Sequence, residues 1–151
     1  MAYKSYKGTY YLKNPSKYIG KGSNPEYKSH YEQVTFRWMD LNQNIMRWGY
    51  EVVGIPYKNS VDNNIHTYWP DIYAEILINK EIKKFLIEIK PTKDLIYPPN
   101  IVMTNKNKKA YVRVLNEKLT FVKNVDKFKA AAAYCKTLGY VFRILTEKDI
   151  F

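Results

Sequence analysis

Apolar and polar positions alternate along residues 85–90, with Phe85, Ile87 and Ile89 on one face and Leu86, Glu88 and Lys90 on the other. This two-residue period is that of a strand. The preceding run at 69–78 is separated from it by the polar Asn79-Lys80-Glu81, so the two predict an antiparallel hairpin with its tip at 79–82. That pairing places Asp71 roughly across from Ile89 and Lys90. Helical spacing governs 29–41. Ser29 is the expected N-cap, with Glu32 completing a capping box. Tyr31, Val34, Thr35, Trp38 and Leu41 form one stripe, and Glu32, Phe36 and Met39 form its neighbour. A second helix is predicted at 126–138, capped by Asn124 or Asp126 and buried through Phe128, Ala131, Ala132, Cys135 and Leu138, with Gly139 as its stop.

Shorter signals complete the pattern. Residues 42–49 read as a turn, 51–57 as a first strand closed by Pro56, 106–117 as a short helix, 119–122 as a brief strand and 140–145 as the last strand. Residues 1–27 hold no sustained period, and are expected to be either a basic, aromatic arm for nucleic acid or a strap whose tyrosines pack on the core. The order is αβββαβ. An α/β fold follows, with a central mixed sheet of about four strands flanked by helices, and with an arm at 1–27 preceding a domain at 28–151. A crossover helix would join the last two strands in parallel.

The hairpin carries the first candidate chemistry. Asp71 and Glu88 offer hard oxygen ligands for magnesium, which is commonly held by one or two carboxylates, waters and substrate phosphate. Lys90, on the same face as Glu88, suits orienting an attacking water or steadying charge on a phosphate. The same residues also fit an ordinary Glu–Lys pair on a solvated strand face. Glu32 is explained by its capping box alone.

Charge changes the odds. The 151 residues contain 25 Lys and Arg against 14 Asp and Glu, a formal charge of +11, and 15 tyrosines interleaved with the lysines. Such a surface calls for an anionic partner, of which nucleic acid is the usual one. The basic residues are not gathered on one amphipathic helix, which disfavours an anionic membrane. No apolar run reaches transmembrane length and the N-terminus lacks a signal-peptide core, so an intracellular protein is expected. With one cysteine and two histidines the chain offers neither a disulfide nor a zinc site, and Cys135 is expected to be buried filler.

Taken in order, the helix acid Glu32, the Pro70-Asp71 pair and the Glu88-Ile89-Lys90 triplet resemble the PD-(D/E)xK nuclease superfamily. That superfamily includes restriction enzymes, Holliday-junction resolvases and a transposase subunit that cuts DNA ends. The likeness to the head completion proteins of large tailed bacteriophages covers nearly the whole chain. It rests on Tyr3 to Gly8, Asn14 to Tyr18, Tyr27-Lys28-Ser29 with Glu32, Trp48-Gly49-Tyr50-Glu51, Ile55-Pro56-Tyr57, Tyr68 to Asp71, Ile87 to Pro91, Lys127 to Ala131 and Phe142 to Glu147. The resemblance implies a DNA endonuclease using magnesium, or manganese in its place, held by Asp71, Glu88, the Ile89 carbonyl and Glu32, with Lys90 at the reacting phosphate. Glu51 would lie near the mouth of the site. Lys4, Lys7, Lys13, Lys17, Lys21, Lys106, Lys108, Lys109 and Arg113 would hold DNA backbone. The implied setting is the host cytoplasm during assembly or the virion itself, with head, portal or tail-connector proteins as partners and no nucleotide cofactor. A rival expectation keeps the fold without the catalysis, as a DNA-binding plug at the capsid portal.

Overall fold

The structure, a computed structural model, describes residues 6–151. In chain order its elements are β1 (Gly8–Thr9), β2 (Glu26–Tyr27), α1 (His30–Leu41), β3 (Ile45–Tyr50), β4 (Ile55–Lys58), β5 (Ile65–Tyr68), β6 (Ile72–Ile78), β7 (Glu81–Ile89), α2 (Lys108–Leu138), β8 (Val141–Leu145) and α3 (Glu147–Ile150). Four strands form the central sheet in the order β3-β6-β7-β8, antiparallel except for the parallel pair β7 and β8. Counting only the elements of this sheet and the two long helices, the order is αβββαβ, as the sequence predicts.

Opposite faces of the sheet are covered by opposite helices. Ile72, Ala74, Ile87 and Ile89 pack with Phe36 and Met39 of α1, whereas Tyr73 and Leu86 pack with Ala131 and Cys135 of α2. This is why the strands are apolar at both parities in their inner halves. Between β6 and β7 the turn is Asn79-Lys80, with φ of 50° and 68°. Two consecutive left-handed residues make the mirror-image turn whose twist matches antiparallel strands. It fixes the register Ile72 to Ile87, which sets Asp71 beside the end of β7.

Several local expectations are corrected. The first sheet strand is β3, within the segment expected to be a turn, because Ile45 and Trp48 fill the core while Glu51, at φ 51°, ends the strand. The expected strand at 51–57 survives only as β4, which pairs with β5 in a separate ribbon. Pro56 is tolerated there because β4 has a single partner and its other edge needs no donor. The run at 69–78 becomes regular only from Ile72. Residues 106–138 do not divide into helix, strand and helix. From Lys108 on they form the 31-residue α2, about 46 Å long, since no Gly or Pro interrupts it and the β-branched Thr120, Val122 and Val125 are only a weak local preference. Neither Asn124 nor Asp126 caps a helix; Asp126 accepts from the Ser60 N–H and hydroxyl at 2.8 and 3.0 Å. On α1 the buried residues are Glu32, Thr35, Phe36, Met39 and Asp40, so the secondary stripe faces the core, while Trp38 and Leu41 are 49% and 43% exposed.

Residues 6–27 lie along the domain as a strap. Tyr10, Leu12 and Tyr18 pack against the core cluster, and the Ile19 N–H donates to the Trp48 carbonyl at 2.8 Å. The fully buried Asp40 carboxylate is the fastener, accepting from the Tyr10 hydroxyl at 2.8 Å and the N–H groups of Lys13 and Asn14 at 2.9 and 3.0 Å. Cys135 is buried and unpaired. No described helix is long and apolar enough to cross a membrane.

Candidate active site

Three elements meet where β6 begins and β7 ends. Pro70 is fully buried and directs the chain into β6 with Asp71 at the bend. There the Asp71 carbonyl accepts from the Glu51 N–H at 2.9 Å, and its carboxylate accepts from the Ile89 N–H at 2.7 Å. The left-handed Glu51 is thus part of the support for Asp71. Local strain of this kind costs on the order of 1–3 kcal/mol and persists where surroundings impose it. The alternation of β7 sends Glu88 and Lys90 to the same side, where the Lys90 amine lies 3.6 Å from the Glu88 carboxylate.

The N-terminus of α1 brings the third acid. Ser29 caps the helix by accepting from the Glu32 N–H at 3.1 Å, as predicted. Glu32 completes the motif one residue early, accepting from the Lys28 N–H at 2.6 Å and, through its other oxygen, from the Tyr50 hydroxyl at 3.2 Å. Its geometry is therefore set by more than a capping box. Glu32, Asp71, Glu88, Ile89 and Lys90 all line one open cleft of about 810 Å³.

Its electrostatics are those of acids crowded together. Burial, then the negative charge of Glu88, then that of Glu32, raise the Asp71 pKa well above the ordinary carboxylate range, against the opposing Ile89 N–H and Lys90. Burial also raises Glu88, opposed by the Tyr68 hydroxyl, Lys90 and Lys127. The buried Glu88 and the half-buried Asp71 crowd together with Lys90 beside them, so negative charge in the cleft is only partly compensated by the chain. Among the described residues, no three His, Cys, Asp or Glu side chains close around a common point to form a complete cage. The donor set instead fits a cation that needs only one or two carboxylates and fills its remaining positions with water and phosphate oxygen.

Sequence reasoning missed four contributors. Tyr68 donates its hydroxyl to Glu88 from the end of β5. Tyr50 holds Glu32. Lys127, on α2, sits with its amine 5.7 Å from the Tyr68 ring centre. Burial first, then Lys90, lower its pKa, with Glu88 opposing. Lys93, from the turn after Pro91, lines the cleft beside Lys90. Tyr68 adjoins the Trp69-Pro70-Asp71 stretch and Lys127 opens the Lys-Phe-Lys run, but neither carries a spacing that points to Glu88.

The expected DNA-contacting residues are dispersed. Lys109 and Arg113 line a groove continuous with the cleft. Lys7 lies by β1 and β2 in a depression that it shares with Lys28, a residue on the cleft rim. Lys21 stacks over Trp69 at 5.5 Å, in a hollow shared with Glu51, whose carboxylate pairs with Lys28 at 3.3 Å. Lys13 and Lys17 sit by Asp40 at the far end of α1, about 12 Å along the helix from Glu32, where the Lys17 amine donates to the Asn42 carbonyl. Lys106 and Lys108 lie at the start of α2 outside that groove's lining, and Lys4 falls outside the described residues.

Residues 42–147 match the family described as TnsA-like endonuclease, N terminal. Among curated proteins, the chain is 36% identical over 146 residues to the head completion nuclease of Enterobacteria phage T4, spanning 97% of this chain and 94% of that relative.

Proposed function

The chain belongs to the TnsA-like N-terminal endonuclease family, and from that premise and the cleft's geometry we propose a divalent-metal-dependent DNA endonuclease of phage head completion. One observation carries the catalytic reading: Glu32 on α1, Asp71 at the start of β6 and the Glu88/Lys90 pair at the end of β7 line a single cleft on a strongly basic protein. A solvated strand pair would have no reason to be joined by a third acid and buried.

Asp71, Glu88 and the Ile89 carbonyl would hold magnesium, or manganese in its place, with Glu32 holding a second ion or an outer water. A bound divalent cation supplies Lewis-acid polarisation of the phosphate and lowers the pKa of a coordinated water. The chain's own residues do the rest. The Ile89 N–H fixes one oxygen of Asp71, a residue that lines the cleft, and leaves the other available to a cation. Tyr68 holds Glu88 in place, and Lys90 stands where an ammonium can orient water or stabilise charge on the phosphate oxygens. Lys28 and Lys93 at the cleft rim attract the backbone. We place the activity in the host cytoplasm as heads are assembled, or in the virion, on the packaged DNA end before the tail joins.

The test is plasmid cleavage with and without magnesium by the wild type, Asp71→Ala and Lys90→Ala. Magnesium-dependent nicking by the wild type, lost in both variants, is expected. Equal activity in all three would assign it to a contaminant, and salt-sensitive DNA binding with no product at all would favour the portal plug.

A further inference from the structure

Beside the cleft runs a second depression of about 740 Å³, between the segment after β7 and the first half of α2. Lys90, Lys93 and Asp94 line both, so the two are continuous. The groove is a built feature. Its outer segment is fastened to α2 by an edge-on contact between Tyr97 and Phe121 with ring centres 5.3 Å apart, by Lys118 over the Tyr97 ring at 5.6 Å, and by the Lys118–Asn100 hydrogen bond. Asn124, 8% exposed, lines the same groove and offers it an amide.

The lining has two characters. Lys90, Lys93, Lys109 and Arg113 supply cations against Asp94 and Glu117. Ile96 and Val112, 64% and 52% exposed, supply apolar surface on the same groove. A duplex presents only phosphates to such a surface and hides its base faces. An unpaired strand presents both.

We propose that this groove seats a short single strand of DNA leading away from the scissile phosphate, so that the enzyme prefers ends or branches carrying unpaired nucleotides. This rests on the nuclease reading for its direction and extends it to the substrate's form. Arg113 and Lys109 grip the backbone, Ile96 and Val112 receive bases, and Asn124 donates to a phosphate or base edge.

The experiment uses the full chain in a chelator, so that binding is read without cleavage. Fluorescence anisotropy compares a blunt duplex with the same duplex bearing a single-stranded tail. Tighter binding of the tailed DNA by about 10-fold is expected. Lys109→Ala/Arg113→Ala should abolish that preference and lower the salt slope for tailed DNA by about 1.4, the value for two single-strand phosphate contacts. Both side chains lie on the exposed half of α2, and circular dichroism confirms the fold. Asn116→Cys, on the groove wall, is labelled with a photocrosslinker; Cys135, at 2% exposure, is protected from the reagent. Crosslinks confined to the tail support the groove. Crosslinks to paired nucleotides, or equal affinity for blunt and tailed DNA, overturn it. Tail binding by a protein that cuts nothing would overturn the nuclease reading alone, whereas cleavage without tail preference would overturn only the groove.

Discussion

Replacing Asp71 by asparagine separates what this residue does for folding from what it does for chemistry. The Ile89 N–H, now 2.7 Å from the carboxylate, can still donate to the amide oxygen, so the bond survives in neutral form at a loss of about 1 kcal/mol. Against this, a half-buried anion repelled by Glu88 and Glu32 disappears. Replacing fully buried charge by neutral groups commonly gains about 1–4 kcal/mol, and the partial exposure of Asp71 puts it in the lower half of that range. A net gain of about 1 kcal/mol is therefore expected in the metal-free protein, raising Tm by about 2–4 °C for a chain of this size. Because the Asp71 pKa is raised on folding, the native state keeps its proton to higher pH than the unfolded chain. Wild-type stability thus falls as pH rises from the ordinary carboxylate value through the raised one. The variant lacks that decline, so the two should converge in acid and diverge toward neutrality. Magnesium at about ten times its dissociation constant adds about 1.4 kcal/mol to the wild type and nothing to the variant, closing the gap. Cleavage should fall by more than about 100-fold. Differential scanning fluorimetry between pH 4 and 8, with and without metal, reads the first set and plasmid nicking the last. A variant that melts below the wild type at neutral pH, or that still cleaves within 10-fold, would refute the reasoning.

Tyr68→Phe keeps the ring between Phe128 and Lys127 but strips Glu88 of its hydroxyl donor. Metal affinity by isothermal titration should fall about 10–100-fold with the fold intact. Lys127 opposes the upward pKa shift of Glu88, so Lys127→Ala should move the acid limb of the pH–rate profile to higher pH; an unmoved limb would remove Lys127 from the site. Asp40→Ala leaves the Tyr10 hydroxyl and two strap N–H groups without their acceptor. Loss of about 3–5 kcal/mol in urea unfolding is expected, with low-temperature cleavage within a few-fold of wild type because Asp40 lies two turns from Glu32.

The strongest local patterns are those that short-range physics alone can fix. The alternation of β7 puts Glu88 and Lys90 on one side, Asn79-Lys80 supplies the tight turn that sets Asp71 beside Ile89, and the Ser29 cap holds Glu32 in the first turn of α1. Order then does the rest at the level of class: αβββαβ with an acid, a Pro-Asp and a Glu-x-Lys is enough to anticipate a nuclease-like domain. What failed were positions whose state depends on distant partners. Residues 42–49 read as a turn because Gly49 and Arg47 break the period, yet Trp48 is fully buried between α1 and the strap. Residues 119–122 favour a strand by side-chain type, but an uninterrupted backbone ladder outweighs that preference in α2. No spacing could have placed the Tyr68 hydroxyl on Glu88, aimed Lys127 at the same acid from the opposite helix, or opened the groove over Asn124. Those contacts join residues 20 to 40 positions apart or more, and such pairs meet only once both faces of the sheet have been covered.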